Sequence, residues 1–385
     1  MNAIVLGGSG VIGSYVVKCL DESDVFSNVY IGDVQESAAQ EICKHSQKTE
    51  HIYVDATDKV SLTSSMKDID IVVNCIGPFY KFAPLILETT IEQGLNYVDV
   101  CDDFDTTQSL IDNHHKRAVS EDVTCIIGLG ASPGLTNVIV AYAAKQLNAV
   151  HDVKIFVTRG ITEKAGAAIP YHMLHCWLGA IPIYKNGAFK KVRGLIDGEE
   201  YATFPQPFGQ TPVYYFGHPE TVTIPRYIDD VNNVCCKGTF FPTEFRSALL
   251  QVQELGLLSD HEITVNGHKI TPRDFVASYI SSFGKMMSTT SLNIPAGGAV
   301  MIFVKGEQDG VPKTYHFAGT SHMREGTATP AALGAQMIAG GLIKSPGVQA
   351  PEACVPPRKF INSLLDEKLF GDIWLTTTEK ISGPL

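Results

Sequence analysis

The sequence lacks any pair of cysteines at C-x-x-C spacing, although it holds nine cysteines. Neither a paired-ligand zinc site nor a disulfide framework is therefore suggested, and no metal is expected. Cys75 and Cys125 lie inside apolar runs, where they are expected to pack as small hydrophobes. No uninterrupted apolar run approaches the roughly 20 residues needed to cross a bilayer. Positive charge is short as well: 30 Lys and Arg against 41 Asp and Glu leave a net charge of −11, which argues against a nucleic-acid or anionic-membrane surface. Internal repeats and low-complexity segments are missing. The first strand pattern begins at residue 2, so no signal or transit peptide is expected and the cytoplasm is the expected compartment. What remains is a chain of 385 residues, long enough for two domains with substantial cores.

The chain opens MNAIVLGGSGVIGSYVVKCL. Residues 2–6 read as a short buried strand, and Ile12, Val16 and Leu20 repeat at four-residue steps along one stripe of a helix. Between them lies Gly8-Ser9-Gly10-Val11-Ile12-Gly13, a G-x-G-x-x-G. Such a hexapeptide also serves tight turns that bind nothing. Its context points further. It joins a strand to a helix whose first N–H groups can meet a phosphate, and Gly13 lets that helix pack close to the sheet. A second strand over residues 28–31 ends at Gly32-Asp33, twenty residues past Gly13, where a carboxylate receives the adenosine ribose hydroxyls. The opening stretch reads as a dinucleotide cradle. NAD is expected, with NADP as the alternative: Asp33 would repel a 2′-phosphate, and Val34-Gln35-Glu36 offers no arginine to receive one.

Strand-then-helix patterns continue to about residue 130. Further strands are expected at 51–54, 69–75, 97–100 and 124–127, giving six alternating with helices and hence a doubly wound parallel α/β sheet. From about residue 150 the texture changes. Candidate strands at 153–158, 221–224, 298–305 and 313–317 are separated by long glycine- and proline-containing stretches, and Gln308-Asp309-Gly310 has hairpin-turn chemistry. Helices are expected at 243–257 and 272–283, then at 330–339 and 358–370. The second domain reads as α+β on a mostly antiparallel sheet.

Ligands of a doubly wound sheet bind beyond the carboxyl ends of its strands. That edge collects Asp55, Gly77-Pro78, Asp102-Asp103 and Ser132-Pro133-Gly134. Asp55 either caps the next helix or contacts the adenine side. Gly77 and Pro78 either start a helix or let nicotinamide lie close to the backbone, with Ser132 nearby. Asp102 and Asp103 are either first-turn charges of a helix or counter-charges for a substrate amine.

The segments YVDVCDDFD, IIGLGASPGLTNVIVAYAA, GHPETVTIPR and GTATPAALGAQMIAGG, read together, resemble the saccharopine dehydrogenase-like family of nicotinamide enzymes. The resemblance covers nearly the whole chain, is strongest over residues 55–137 and 323–357, and is weakest in the middle. It implies a Rossmann domain at 1–130, a second domain at 131–322 whose sheet commonly forms a homodimer interface, and a C-terminal segment, 323–385, that returns to the Rossmann domain. It also implies hydride transfer between nicotinamide and an amine or imine carbon of an amino acid or amine substrate.

For the chemistry at nitrogen, Tyr171-His172-Met173-Leu174-His175 puts two imidazoles within a turn and a half of helix. Either they are satisfied core groups or one is the base, and His172 is preferred because Ala167-Ala168-Ile169-Pro170 resembles the family's approach to its cleft. Either His218 and Glu220 form a structural turn with Arg226 in a surface ion pair, or Arg226 clamps a substrate carboxylate with its planar fork. Three functions remain open: oxidative deamination or its reverse, a condensing reduction of saccharopine or carboxynorspermidine type, and a redox sensor that binds NAD without turnover.

Overall fold

A computed structural model describes residues 1–163, 166–287, 294–366 and 373–379. Two compact units emerge: residues 1–142 with 324–370, and residues 143–323 with 371–385. The first unit begins with the alternation β1 (Asn2–Leu6), α1 (Val11–Asp21), β2 (Asn28–Asp33), α2 (Glu36–Cys43), β3 (Thr49–Tyr53) and α3 (Lys59–Ser65). It continues through β4 (Ile71–Asn74), α4 (Phe79–Glu92), β5 (Asn96–Asp99), α5 (Phe104–Ser120), β6 (Thr124–Ile126) and α6 (Leu135–Ala144). The central strands read as unbroken apolar runs because helices cover both faces of the sheet; all four residues of β4 are buried, as are Ala3–Leu6 of β1.

The second unit contains β7 (Ala149–Gly160), α7 (Ile169–Cys176), β8 (Ala180–Lys185), β9 (Ala188–Arg193), β10 (Glu200–Phe204), β11 (Gly209–Tyr215), α8 (Glu220–Tyr227) and β12 (Asn233–Phe241). After these come α9 (Phe245–Glu254), a small hairpin of β13 (Ile263–Val265) and β14 (His268–Ile270), α10 (Pro272–Met287), β15 (Gly298–Gln308) and β16 (Val311–Ser321). The turn between β15 and β16 is Asp309-Gly310, and both residues have positive φ, as the twist of a two-residue hairpin requires. The chain closes with α11 (Met323–Ala339), β17 (Gly347–Gln349), α12 (Pro351–Cys354), α13 (Pro357–Asp366) and β18 (Ile373–Glu379).

The first sheet is wholly parallel in the order β17-β6-β5-β4-β1-β2-β3, with the direction of winding reversing between β1 and β4. The second sheet runs β10-β11-β12-β7-β15-β16-β18, with β8 and β9 attached through β12. Its pairs are antiparallel except β12 with β7. One apolar cluster on it joins Phe156, Ala202, Phe204, Phe208, Val213, Ala299 and Met301.

Several expectations from the sequence change. Residues 221–224 (TVTI) have the β-branched composition of a strand but lie in α8. All four are buried, so the helical alternation that would have distinguished them is erased. The helix expected from Pro330 begins seven residues earlier, at Met323, and carries Pro330 within it. A proline marks a helix start only by tendency, because it removes a single N–H. By chain contacts the first unit runs to residue 142, and within it Asn137 Nδ2 of α6 donates to Glu352 at 2.9 Å. The segment 323–385 divides: α11 to α13 and β17 join the first unit, while β18 pairs with β16. The helix expected over 358–370 is seen to Asp366, and residues 367–370 lie outside the described residues.

Candidate functional site

The glycine turn is built to leave the start of α1 open. Gly7 takes φ +74, which only glycine adopts freely, and Gly10 stands at the N-cap with no side-chain cap. No acidic residue lies in the first turn, so the positive end of the helix dipole is uncompensated there. A Cβ on Gly13 would meet Gly7 O at 2.2 Å, so the absence of a side chain is what allows α1 to lie against the turn. Asp33, only 9% exposed, ends β2 beside it. Its Oδ2 accepts from Ser9 N at 3.1 Å and from Ser9 Oγ at 2.5 Å, and its Oδ1 accepts from Gln35 N at 3.0 Å. The carboxylate is thus anchored at the lip of the cradle. Cradle, open helix end and anchored acid fit the adenosine and pyrophosphate of a nicotinamide dinucleotide.

Asp55 does not cap α3; Asp58 does, accepting from Val60 N and Ser61 N. Asp55 Oδ1 accepts from Thr57 N at 2.8 Å and Thr57 Oγ1 at 2.7 Å, and these bonds hold its carboxyl below the usual range. Pro78 is the N-cap residue of α4. Asp103 occupies the N-cap of α5 and is 1% exposed, yet it makes no capping bond; its Oδ2 accepts from Tyr80 N at 3.1 Å and so ties the start of α4 to that of α5. Asp102 beside it is half-buried. Ser132 lies in a loop closed on itself by Gly130 N donating to Pro133 O and Leu135 N donating to Gly130 O.

Asp99, the last residue of β5 and part of the segment YVDVCDDFD, is not among the residues expected at the site. Asp99 is fully buried, and its Oδ1 accepts from Gly128 N at 2.7 Å and Cys101 N at 3.0 Å. Tyr97 Oη donates to Oδ2 at 2.9 Å, Asn74 Nδ2 donates to Tyr97 Oη at 3.0 Å, and Asn74 Oδ1 accepts from Ile76 N at 2.9 Å. Burial pushes the Asp99 carboxyl up to about 6, against the opposing pull of the Gly128, Cys101 and Tyr97 bonds. The available signal was an acid ending an apolar strand, a place where a buried charge needs several donors.

In the second unit the residues around His172 converge. His172 of α7 is buried, and its ring lies edge-on to that of His218 with centroids 5.7 Å apart. His218 Nδ1 is 2.5 Å from Glu220 Oε2, and both side chains are buried, Glu220 completely. Phe216 packs on His218 and stacks on Trp177, with centroids 4.0 Å apart for the latter pair. Cys236 Sγ, His218 and Glu220 bring their donor atoms within 4.8 Å of one another. Burial, with the Glu220 charge, pushes the Cys236 thiol well above its ordinary range. Glu220 holds the His218 ring in place through Nδ1. Tyr171 turns elsewhere, donating to Asp274 Oδ1 at 2.8 Å. Arg226 is exposed in the last turn of α8, its guanidinium 5.9 Å from the ring of Tyr227 and outside the buried cluster.

Comparison with known proteins places the chain in a family. Residues 3–126 match the saccharopine dehydrogenase NADP binding domain, and residues 130–368 match the saccharopine dehydrogenase C-terminal domain. A carboxyaminopropylagmatine dehydrogenase of Synechocystis sp. is 22% identical over 426 aligned positions, covering 100% of this chain and 99% of that protein. A mouse saccharopine dehydrogenase-like oxidoreductase is 24% identical over 163 residues, 38% of each chain. In fold, the apo saccharopine dehydrogenase (L-Glu forming) of Saccharomyces cerevisiae superposes with a TM-score of 0.71 at 17% identity, covering 99% of this chain and all of that one. With both halves of the chain accounted for, the protein belongs to the saccharopine dehydrogenase family and is an oxidoreductase that uses a nicotinamide cofactor.

Proposed function

We propose that the protein makes or breaks a C–N bond in an amino acid or polyamine-like compound. Bound nicotinamide supplies the hydride acceptor or donor. The chain supplies the rest. Gly8–Gly13 and Asp33 hold the dinucleotide, and the turns at Gly77-Pro78 and Ser132 are assigned to its nicotinamide end. Removing hydride from an amine carbon requires a proton to leave the nitrogen, and a neutral imidazole has the right basicity near pH 7. His218, held by Glu220, and His172 beside it are the groups we assign to that proton. Asp102 and Asp103 are assigned to the substrate ammonium and Arg226 to a substrate carboxylate. The observation that carries the reading is the buried His172–His218–Glu220 cluster, within the residues that match the family's C-terminal domain.

The test follows reduced nicotinamide by absorbance with amino acids, polyamines and their condensed secondary amines, in both directions. Separate His218→Asn, His172→Asn and Glu220→Gln variants are expected to include at least one loss of turnover of about 100-fold with cofactor affinity intact. Turnover within twofold of the parent in all three would sink the assignment. A condensed secondary amine as the preferred compound would favour the condensing reductase, the kind of substrate that the name of the Synechocystis relative describes. No turnover across the panel would favour the sensor.

For the cofactor we propose NAD over NADP, because the anchored Asp33 carboxylate stands where a 2′-phosphate would come. Michaelis constants for the two decide it: a tenfold preference for NADP would overturn the proposal, and Asp33→Ala should erase the discrimination. A cytoplasmic homodimer belongs to the same proposal. The dimer is supported by the edge position of β18, where Trp374 and Leu375 are each 48% exposed, and light scattering tests it; the compartment rests on the sequence reading alone and is tested by fractionation.

A further inference from the structure

Asp99 is a buried carboxylate with no ion-pair partner among the described residues, at the carboxyl end of β5, which lies between β4 and β6 in the first sheet. Its partners come from three neighbouring strand ends. Through Tyr97 and Asn74 it reaches Ile76 N, the residue before Gly77-Pro78. Directly it holds Cys101 N, next to Asp102-Asp103, and Gly128 N, at the start of the loop that carries Ser132. Gly128 has φ +75, and a Cβ there would meet Cys101 O and Pro133 Cγ, both at 2.9 Å, so the second and third turns are also packed against each other. Each donor in the chain points toward the carboxylate, so the polarity of the whole relay depends on Asp99 accepting at both oxygens.

We propose that Asp99, acting through Tyr97 and Asn74, is a positioning residue that locks the turns after β4, β5 and β6 into one surface for the nicotinamide ring. The inference rests on the assignment of those turns to the nicotinamide end. An asparagine at this position would present an NH2 to Tyr97 Oη and reverse the relay at that link. Protonation of Asp99 would have the same effect at one oxygen. The other titratable groups around it are the thiols of Cys75, Cys101 and Cys125, the Tyr97 hydroxyl and Asp102. Burial pushes the three thiols and Tyr97 up, so none of the four titrates near Asp99's own value of about 6.

The experiment compares two probes on the full chain: NADH, followed by its nicotinamide fluorescence, and ADP-ribose, which shares the adenosine and pyrophosphate but has no nicotinamide. For the parent, NADH affinity relative to ADP-ribose is expected to fall as pH drops through about 6, with ADP-ribose unaffected. In Asp99→Asn, NADH should bind about tenfold more weakly with ADP-ribose within twofold, and the pH dependence should vanish. Tyr97→Phe cuts the relay between Asp99 and Asn74, so NADH should bind about tenfold more weakly with ADP-ribose within twofold and the pH dependence should shrink; this variant carries the test if Asp99→Asn does not fold. If Asp99→Asn matches the parent for both probes at every pH, the proposal is overturned while the cofactor reading stands. Equal loss of both probes, with a lowered melting temperature, would show a merely structural role and overturn it too. A parent that binds neither probe would remove the cofactor reading itself.

Discussion

Replacing Gly13 by alanine tests the packing of the cradle directly. The added Cβ would lie 2.2 Å from Gly7 O, 2.8 Å from Gly7 C and 2.9 Å from Gly8 Cα. All three are backbone atoms, so no side chain can rotate away, and α1 must withdraw from the turn by about 1 Å to reach ordinary contact. Forcing a methyl group into a packed site costs roughly 1–3 kcal/mol, and backbone against backbone belongs at the upper end. Alanine recovers about 1 kcal/mol over glycine within a helix. The net loss is therefore about 2 kcal/mol, which for a unit of this size lowers the melting temperature by roughly 4–8 °C. Gly10→Ala is the control, because its Cβ would meet only Gly7 O, at 3.1 Å, which a small adjustment accommodates. Differential scanning calorimetry and ADP-ribose titration of both variants provide the readouts. A Gly13→Ala protein that melted within 1 °C of the parent, or no lower than Gly10→Ala, and kept its ADP-ribose affinity would refute the reasoning.

Two further outcomes are expected. Lys237, 4% exposed on β12, donates to Glu200 Oε2 at 2.5 Å, and Lys154 reaches both Glu200 oxygens at 3.1 and 3.2 Å. Glu200→Gln should cost about 2 kcal/mol by denaturant titration, less than a fully buried pair because Glu200 is about a third exposed, and Lys237→Met in the same chain should restore part of it. Partial burial pushes Glu200 up, but the bonds and charges of the two lysines outweigh it, so its contribution is present at neutral pH and lost as pH falls below the ordinary glutamate range. Asp99 has the opposite sign: its folded value, raised to about 6, means that stability present below pH 4 is lost as pH rises through 6, about 3 kcal/mol in all. Asp99→Asn should therefore lose less stability between pH 4.5 and 7.5 than the parent does; parallel stability curves across that range would contradict the shift.

The sequence by itself determined the six N-terminal strands of the doubly wound domain, because every signal there is local; the seventh, β17, is added by residues 347–349 pairing with β6, which no local signal declares. Buried parallel strands are apolar throughout, the glycine turn declares itself by residue type, and Asp33 follows at the spacing that a βαβ unit imposes. The hairpin at Asp309-Gly310 was legible for the same reason, since its two positive φ angles demand those residues. Tertiary structure decided the rest. TVTI could not be told from a strand because full burial removed any periodicity to read, and the last strand left the first unit because strand pairing depends on partners remote in sequence. The catalytic candidates divided in the same way. His172 was visible as an imidazole on an apolar helix, but its proximity to His218 and the bond from His218 to Glu220 exist only once α7 and α8 are packed. Asp99 looked like any acid at a strand end. Its function as the acceptor for three strand ends arises from bonds that join residues 74, 76, 97, 101 and 128, a set that only the folded sheet brings together.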